Sequence, residues 1–179
     1  MSELPAPPDP ISAPEAYQAY LLDALGADDP ATVQAGTPPA LRQLVREGAP
    51  HLRKRSVPGA WSALETMGHI LDAEIVYSAR YRFIMAHDEP PLLGYDQDLW
   101  VERLGHNDDD VAGLLDHFEA MRLANIAMWR HSTPVQRGRV GIHEERGPES
   151  LELSFRLIAG HDRVHLTQAR DALFAAGRH

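Results

Sequence analysis

Three histidines give this chain the makings of a metal site. His161 and His165, in His161-Asp-Arg-Val-His165-Leu-Thr-Gln168, are spaced i, i+4. On a helix that spacing puts both imidazoles on one face, one turn apart, where they can chelate one ion. His69, in Trp61-Ser-Ala-Leu-Glu-Thr-Met-Gly-His69, falls on a different predicted helix and could close a three-histidine facial site. Three protein ligands with further positions open is the arrangement of a catalytic metal rather than a structural one. A bare His-x-x-x-His pair is weak in a chain with ten histidines, so context must carry the weight. His161 and His165 continue the stripe Ser154, Ile158, His161, His165, Gln168, Ala172, while His69 shares a helix side with Glu65, Asp72, Val76 and Phe83. Buried imidazoles must satisfy their nitrogens. Spacing alone leaves two solutions open: hydrogen bonds to neighbouring carboxylates or carbonyls, or one shared ion.

The neighbours divide in the same way. Asp72 and Asp162 are placed either to orient ligand imidazoles or to be solvated helix carboxylates. Glu65 stands three residues after Ser62 and is better placed as a capping partner than as a general base. Gln168, one turn beyond His165, is a pocket hydrogen-bonder or a helix–helix contact. Tyr95, Asp96 and Trp100 follow a proline turn and suit packing anchors more than the mouth of a site. His51, His87, His106, His117, His131 and His179 read as surface or helix-end residues.

The elements that must position these groups are helical, punctuated by proline and glycine loops, with no sustained strand alternation. A first helix is predicted over Glu15 to Leu25, with Tyr17, Tyr20, Leu21 and Leu25 as its apolar stripe. Thr37-Pro38 has the form of an N-cap followed by an early proline, opening a helix through Leu41, Leu44 and Val45 to Gly48. Ser62-Ala-Leu-Glu65 is a capping box that starts a helix to about Ala86, before Pro90-Pro91. Asn107 to Asp110 supplies carboxylates suited to a helix N-terminus. The helix that follows carries Val111, Leu114, Leu115, Phe118, Met121, Asn125 and Met128 to near His131. Between Val135 and Gly147 an irregular loop or small hairpin is expected. The last helix opens around Pro148-Glu149-Ser150 and runs to Ala176, with Gly177 as its cap. Long helices in this number imply an all-α four-helix bundle.

Bulk properties narrow the function. The chain has 179 residues, 44% of them hydrophobic, enough for one domain over residues 14–179 after a proline-rich, disordered tail over 1–13. No apolar run approaches the roughly 18 residues a membrane span needs, and the N-terminus lacks a signal peptide's basic and apolar regions. The absence of cysteine removes disulfides, thiolate ligands and a cysteine nucleophile, and suits a cytoplasmic protein. A net charge of −9 argues against nucleic acid as a partner. The one basic cluster, Arg53-Lys54-Arg55, reads as a solvated turn. Expected partners are a small-molecule substrate and a second copy of the chain, formed on an apolar helical face.

The patterns Trp61-Ser-x-x-Glu65-x-x-x-His69-Ile-x-Asp72-x-Glu74 and His161-Asp162-x-x-His165-x-x-Gln168 resemble the DinB-like (YfiT-type) metalloprotein superfamily. So do Tyr95-Asp-Gln-Asp98-x-Trp100, Arg122 and His143-x-x-x-Gly147, in the family's order over roughly residues 37 to 173. The resemblance implies an up-down-down-up bundle. It also implies a metal held by His69, His161 and His165, with Arg122 and His143 as candidate substrate contacts. Neutral imidazoles suit zinc, nickel, copper or iron; zinc and nickel are the family's usual expectation. Some relatives transfer a low-molecular-weight thiol such as bacillithiol or mycothiol to electrophiles, which makes a metal-dependent thiol S-transferase the leading expectation. The alternatives are a metal-dependent hydrolase, with Glu65 or His143 as base, and a metal-binding stress-response protein without turnover.

Overall fold

The computed structural model of the chain describes residues 7–10 and 12–177; residues 1–6 and 11 of the expected tail, and His179, lie outside them. Helix α1 spans Pro14–Leu25 and helix α2 spans Pro30–Gly48. The start of α2 corrects the sequence-based expectation. Asp29, not Thr37, is its N-cap: the carboxylate accepts from Thr32 N–H, and Pro30 occupies the first turn. Thr37, Pro38 and Pro39 therefore lie inside the helix. An interior proline costs about 3 kcal/mol, partly because the carbonyl four residues back loses its donor. Tertiary contacts offset this. The Gln34 carbonyl, which Pro38 cannot serve, accepts from Arg122 Nη1 at 3.2 Å, and Gln34 Nε2 donates to the Phe155 carbonyl at 2.8 Å.

Helix α3 spans Ala63–Ala86 and begins at the expected capping box: Ser62 Oγ accepts from Glu65 N–H, and Glu65 accepts from Ser62 N–H. Strand β1 (Pro91–Leu92) and helix α4 (Gln97–Leu104), capped by Asp96, fill the long crossover to α5 (Val111–His131), whose N-cap is Asp110. After the short α6 (Pro134–Arg137), β2 (Val140–His143) and β3 (Gly147–Ser150) form an antiparallel hairpin, with β1 parallel to β2. Helix α7 runs Leu151–Gly177. It starts at Leu151, just past the expected Pro148-Glu149-Ser150, because that segment pairs as β3, while Ser150 Oγ still accepts from Leu153 N–H.

Side-chain pairings fix the helix directions. Glu74 meets Arg122 and Ser78 meets Asn125, so α3 and α5 run parallel. Tyr81 packs on Phe155 while His69 meets His161, so α3 and α7 are antiparallel. Thr37 meets Asp162 and Gly48 approaches Leu173, so α2 and α7 are parallel. The bundle is α2 up, α3 down, α5 down, α7 up, as the resemblance implied. One apolar cluster gathers Tyr81, Trp129, Phe155 and Ile158; another gathers Leu41, Met67, Ile70, Phe118 and Ala169. His69 on α3 and His161 and His165 on α7 occupy the seam between the two clusters. Among the described residues no helix is long and apolar enough to cross a membrane.

Candidate metal centre

His69 lies two turns into α3, held in register by the capping box, and His161 and His165 face it one turn apart on α7. One nitrogen from each of the three converges within 4.8 Å of the others, and all three residues are buried. His69 Nε2 and His161 Nε2 stand 3.0 Å apart. His165 Nδ1 donates to Gln168 Oε1 at 2.7 Å, which fixes its tautomer and leaves the Nε2 lone pair free. Gln168 thus orients a candidate ligand. Burial, reinforced by the neighbouring imidazoles, holds His69 and His161 well below the ordinary histidine pKa, and burial brings His165 down to about 4. All three are neutral near pH 7, the form that binds metal.

The donor set fits a divalent cation. His165 Nε2 is buried without a hydrogen-bond partner, and the His69 and His161 Nε2 atoms meet only each other at 3.0 Å; buried lone pairs left in this way are costly unless something takes them. The set is neutral imidazole throughout, with no carboxylate or thiolate in the group, and therefore suits a borderline ion such as Zn²⁺ or Ni²⁺.

The acidic neighbours turn elsewhere. Asp162 accepts from Arg122 and from Thr37 Oγ1, not from a ligand imidazole. Asp72 accepts from His106 Nε2 at 2.7 Å rather than from His69. Arg122 is 1% exposed and clamped between Glu74 and Asp162. Glu65 is engaged by Ser62 N–H and by Arg55. Burial by itself would raise the Glu65 carboxyl, but these hydrogen bonds hold its pKa below the ordinary value, which does not suit a base.

His106, expected at the surface, is buried with Asp72 on one ring nitrogen and Asp109 on the other. Gly68 makes room for it: a Cβ there would meet the imidazole at 2.3 Å. Hydrogen bonding to Asp72, opposed by burial and aided by Asp109, raises its pKa to about 9. A histidine whose folded pKa lies above its unfolded value of about 6.5 contributes stability that is complete below that value and lost as pH climbs through the folded one. In metal-free protein, unfolding free energy relative to a His106→Gln variant should therefore fall by up to roughly 3 kcal/mol between pH 6.5 and 9.5. Urea titrations at the two pH values check this, and equal differences at both would refute it.

A recess of about 70 Å³ opens onto His69 and His161. Tyr17, Tyr77, Tyr95, Arg80, His143 and Arg146 form part of its walls. Burial raises the pKa of all three tyrosines, so their hydroxyls stay protonated. Tyr95 packs at a tilt against Trp100, with ring centroids 4.6 Å apart, and stands 6.4 Å from the His69 ring; Trp61 packs on His69 at 5.1 Å. Helix α1 forms the roof, through Tyr17 and Leu21. Gly160, immediately before His161, permits this seat: a Cβ there would lie 1.9 Å from the Leu21 carbonyl oxygen. A wider surface groove of about 520 Å³, lined by Asp28, Thr32 and Arg163, carries none of the three histidines.

The sequence model of the DinB superfamily matches residues 32–169, a span that contains all three histidines. The chain belongs to the DinB superfamily. A protein of Oceanobacillus iheyensis, named as a candidate metal-dependent hydrolase, is 23% identical over 108 residues. That alignment covers 60% of this chain and 62% of the relative's length. YfiT from Bacillus subtilis, described as a candidate metal-dependent hydrolase with an unusual four-helix bundle topology, superimposes with a TM-score of 0.75 at 21% identity, covering 83% of this chain and 86% of that one. At that identity the likeness is one of fold. Helix α1 precedes the span matched to the DinB superfamily, yet it supplies Tyr17 and Leu21 to the lining of the recess.

Sequence reasoning missed Tyr17, Tyr77, Arg80 and the burial of His106. Only helical spacing signalled part of this: His69, Ala73, Tyr77 and Arg80 follow one another at i, i+4, i+8 and i+11 on α3.

Proposed function

We propose that this DinB-superfamily chain is a metal-dependent enzyme that acts on small molecules in the recess beside His69 and His161. The carrying observation is the convergence of three neutral, buried imidazoles, two of which, His69 and His161, line a recess. A divalent ion held there would act as a Lewis acid and lower the pKa of an oxygen or sulfur nucleophile. His69, His161 and His165 would hold the ion. Gln168 aims His165, Trp61 and the roof from α1 restrict water, and the tyrosine hydroxyls offer donors to a polar substrate.

Hydrolysis is the reaction class favoured by the descriptions of both relatives. Transfer of a low-molecular-weight thiol, of the bacillithiol or mycothiol kind, is the second reading, and one observation favours it. Hydrolysis usually wants a base near the nucleophile, yet Glu65 is occupied and burial, with the Arg146 and Arg80 charges, lowers His143 to about 4. A thiol activated by the metal needs no such base.

The test loads the chain with zinc or nickel and assays a panel of activated esters and amides without thiol, and a panel of electrophiles with added bacillithiol or mycothiol. Turnover in the first arm that requires metal and disappears in His165→Ala identifies a hydrolase; turnover only in the second identifies a thiol transferase. No turnover in either arm with a full complement of metal would overturn the enzyme reading in favour of a metal-binding protein.

A further inference from the structure

Arg80 is 5% exposed and has no carboxylate within ion-pair distance among the described residues. That is unusual, because a buried charge ordinarily has a partner. The other fully enclosed arginine, Arg122, has two. Arg80 donates to the Leu93 carbonyl, lies over the Tyr77 ring at 4.8 Å, and leaves its Nε buried without an acceptor. None of these contacts neutralises it.

His143 makes the same point independently. Its Nδ1 stands 3.2 Å from Glu145 N–H and its Nε2 stands 3.2 Å from Arg80 Nη2. Both neighbours are donors, but a neutral imidazole can accept at only one nitrogen. With Nδ1 accepting from Glu145, the Nε2–H group and the guanidinium face each other as two donors without an acceptor. An oxyanion placed against them accepts from both. The nearby Arg146 offers no second free charge, since it is paired with buried Glu149 at 2.8 Å. Glu145 is exposed at the rim of the recess.

We propose that Arg80 and His143 form the anchor for a carboxylate on the substrate, in the same recess that opens onto His69 and His161. One uncompensated positive charge matches a monoanion, and the planar guanidinium matches the two oxygens of a carboxylate. The helix also sets the substrate's length. Eleven residues separate His69 from Arg80 on α3, a rise of about 16 Å between Cα atoms, and the longer arginine side chain, leaning toward the helix N-terminus, reaches back over part of it. The carboxylate and the reacting group are therefore several bonds apart, as in an acyl or thioether derivative of a medium-chain acid.

The inference rests on the recess being the substrate side of a metal enzyme, but anion binding is measurable without turnover. The full chain, metal-free and zinc-loaded, is titrated with adipate, 1,6-hexanediol and inorganic phosphate, following melting temperature and calorimetric Kd. Adipate should stabilise both forms, and hexanediol should not. Arg80→Gln should weaken adipate binding at least tenfold; Glu145→Gln, which removes the rim charge, should tighten it. The metal-free titration separates the two readings: adipate that stabilises the metal-free form while zinc fails to bind leaves the anchor standing without the metal centre, and adipate without effect on the metal-free form sinks the anchor. Should Arg80→Gln not fold, Arg80→Lys keeps the charge without the fork and should lie between wild type and no binding. Equal adipate binding in the Arg80 variants, no binding to wild type, or phosphate binding tighter than adipate would overturn the proposal.

Discussion

Replacing His161 by alanine should take bound zinc or nickel from about one ion per chain to near none, because a site whose ligands come from two helices loses its closure with any one of them. His69 is the sole donor of the group on α3, and His161 and His165 form the pair on α7. Without His161, two neutral imidazoles remain, and no carboxylate in the group can take its place. Stability should show the same dependence. Zinc that binds only the folded state stabilises it by RT ln(1 + [L]/Kd), about 4 kcal/mol at a thousandfold excess over Kd. Adding zinc should therefore raise the melting temperature of wild type and leave His161→Ala unmoved. In the absence of metal the two proteins should differ far less, because the substitution also removes a buried nitrogen that has no partner. Elemental analysis of tag-free protein, paired with melting curves with and without zinc, decides it. A full metal complement in the variant would sink the proposed centre.

The parts of this fold that were legible in the sequence are those whose information is local. The α3 start is written in Ser62 and Glu65, and both hydrogen bonds of the capping box form. The i, i+4 pair on α7 needs only helical geometry to meet on one face. The start of α2 was misread because Thr37-Pro38 imitates a helix start, while the contacts that sustain a helix through Pro38 come from Arg122 and Phe155, far away in the chain. The same distinction separates the ligands from their neighbours. Asp162 adjoins His161 but projects about 100° around the helix, which turns it toward α2 and α5, where Thr37 and Arg122 claim it. Asp72 lies nearly one turn beyond His69 but is taken by His106, whose burial depends on the space left by Gly68. Arg80 was illegible for the opposite reason. An arginine late in a helix normally reaches water, and this one is enclosed where the Leu93 carbonyl after β1 and His143 of β2 lie against it.

Arg122→Met should destabilise the protein by about 3–5 kcal/mol, the cost of leaving a buried charge network without its partner. Against a typical total stability of roughly 5–15 kcal/mol this is severe. Arg122 Nε and Nη2 reach Glu74 at 2.9 and 2.8 Å, and Nη2 reaches Asp162 at 3.1 Å, with all three residues at 1% exposure. Burial alone would disfavour its charge, but the two carboxylates raise its pKa, so it remains a cation. The variant strands two carboxylates and also leaves the Gln34 carbonyl, already deprived of a donor by Pro38, with nothing to accept from. Restoring neutrality with Glu74→Gln and Asp162→Asn in the same chain should recover part of the loss, because the penalty lies in the uncompensated charges rather than in the missing guanidinium. Glu74 belongs to α3 and Asp162 to α7, the two helices that carry the metal ligands. Weaker zinc binding should therefore accompany the lost stability in Arg122→Met. Urea denaturation and a zinc titration on the same samples test both effects. Stability within about 1 kcal/mol of wild type, beyond the scatter of ordinary surface substitutions, would show that Arg122 does not join these helices and would return it to the candidates for substrate contact.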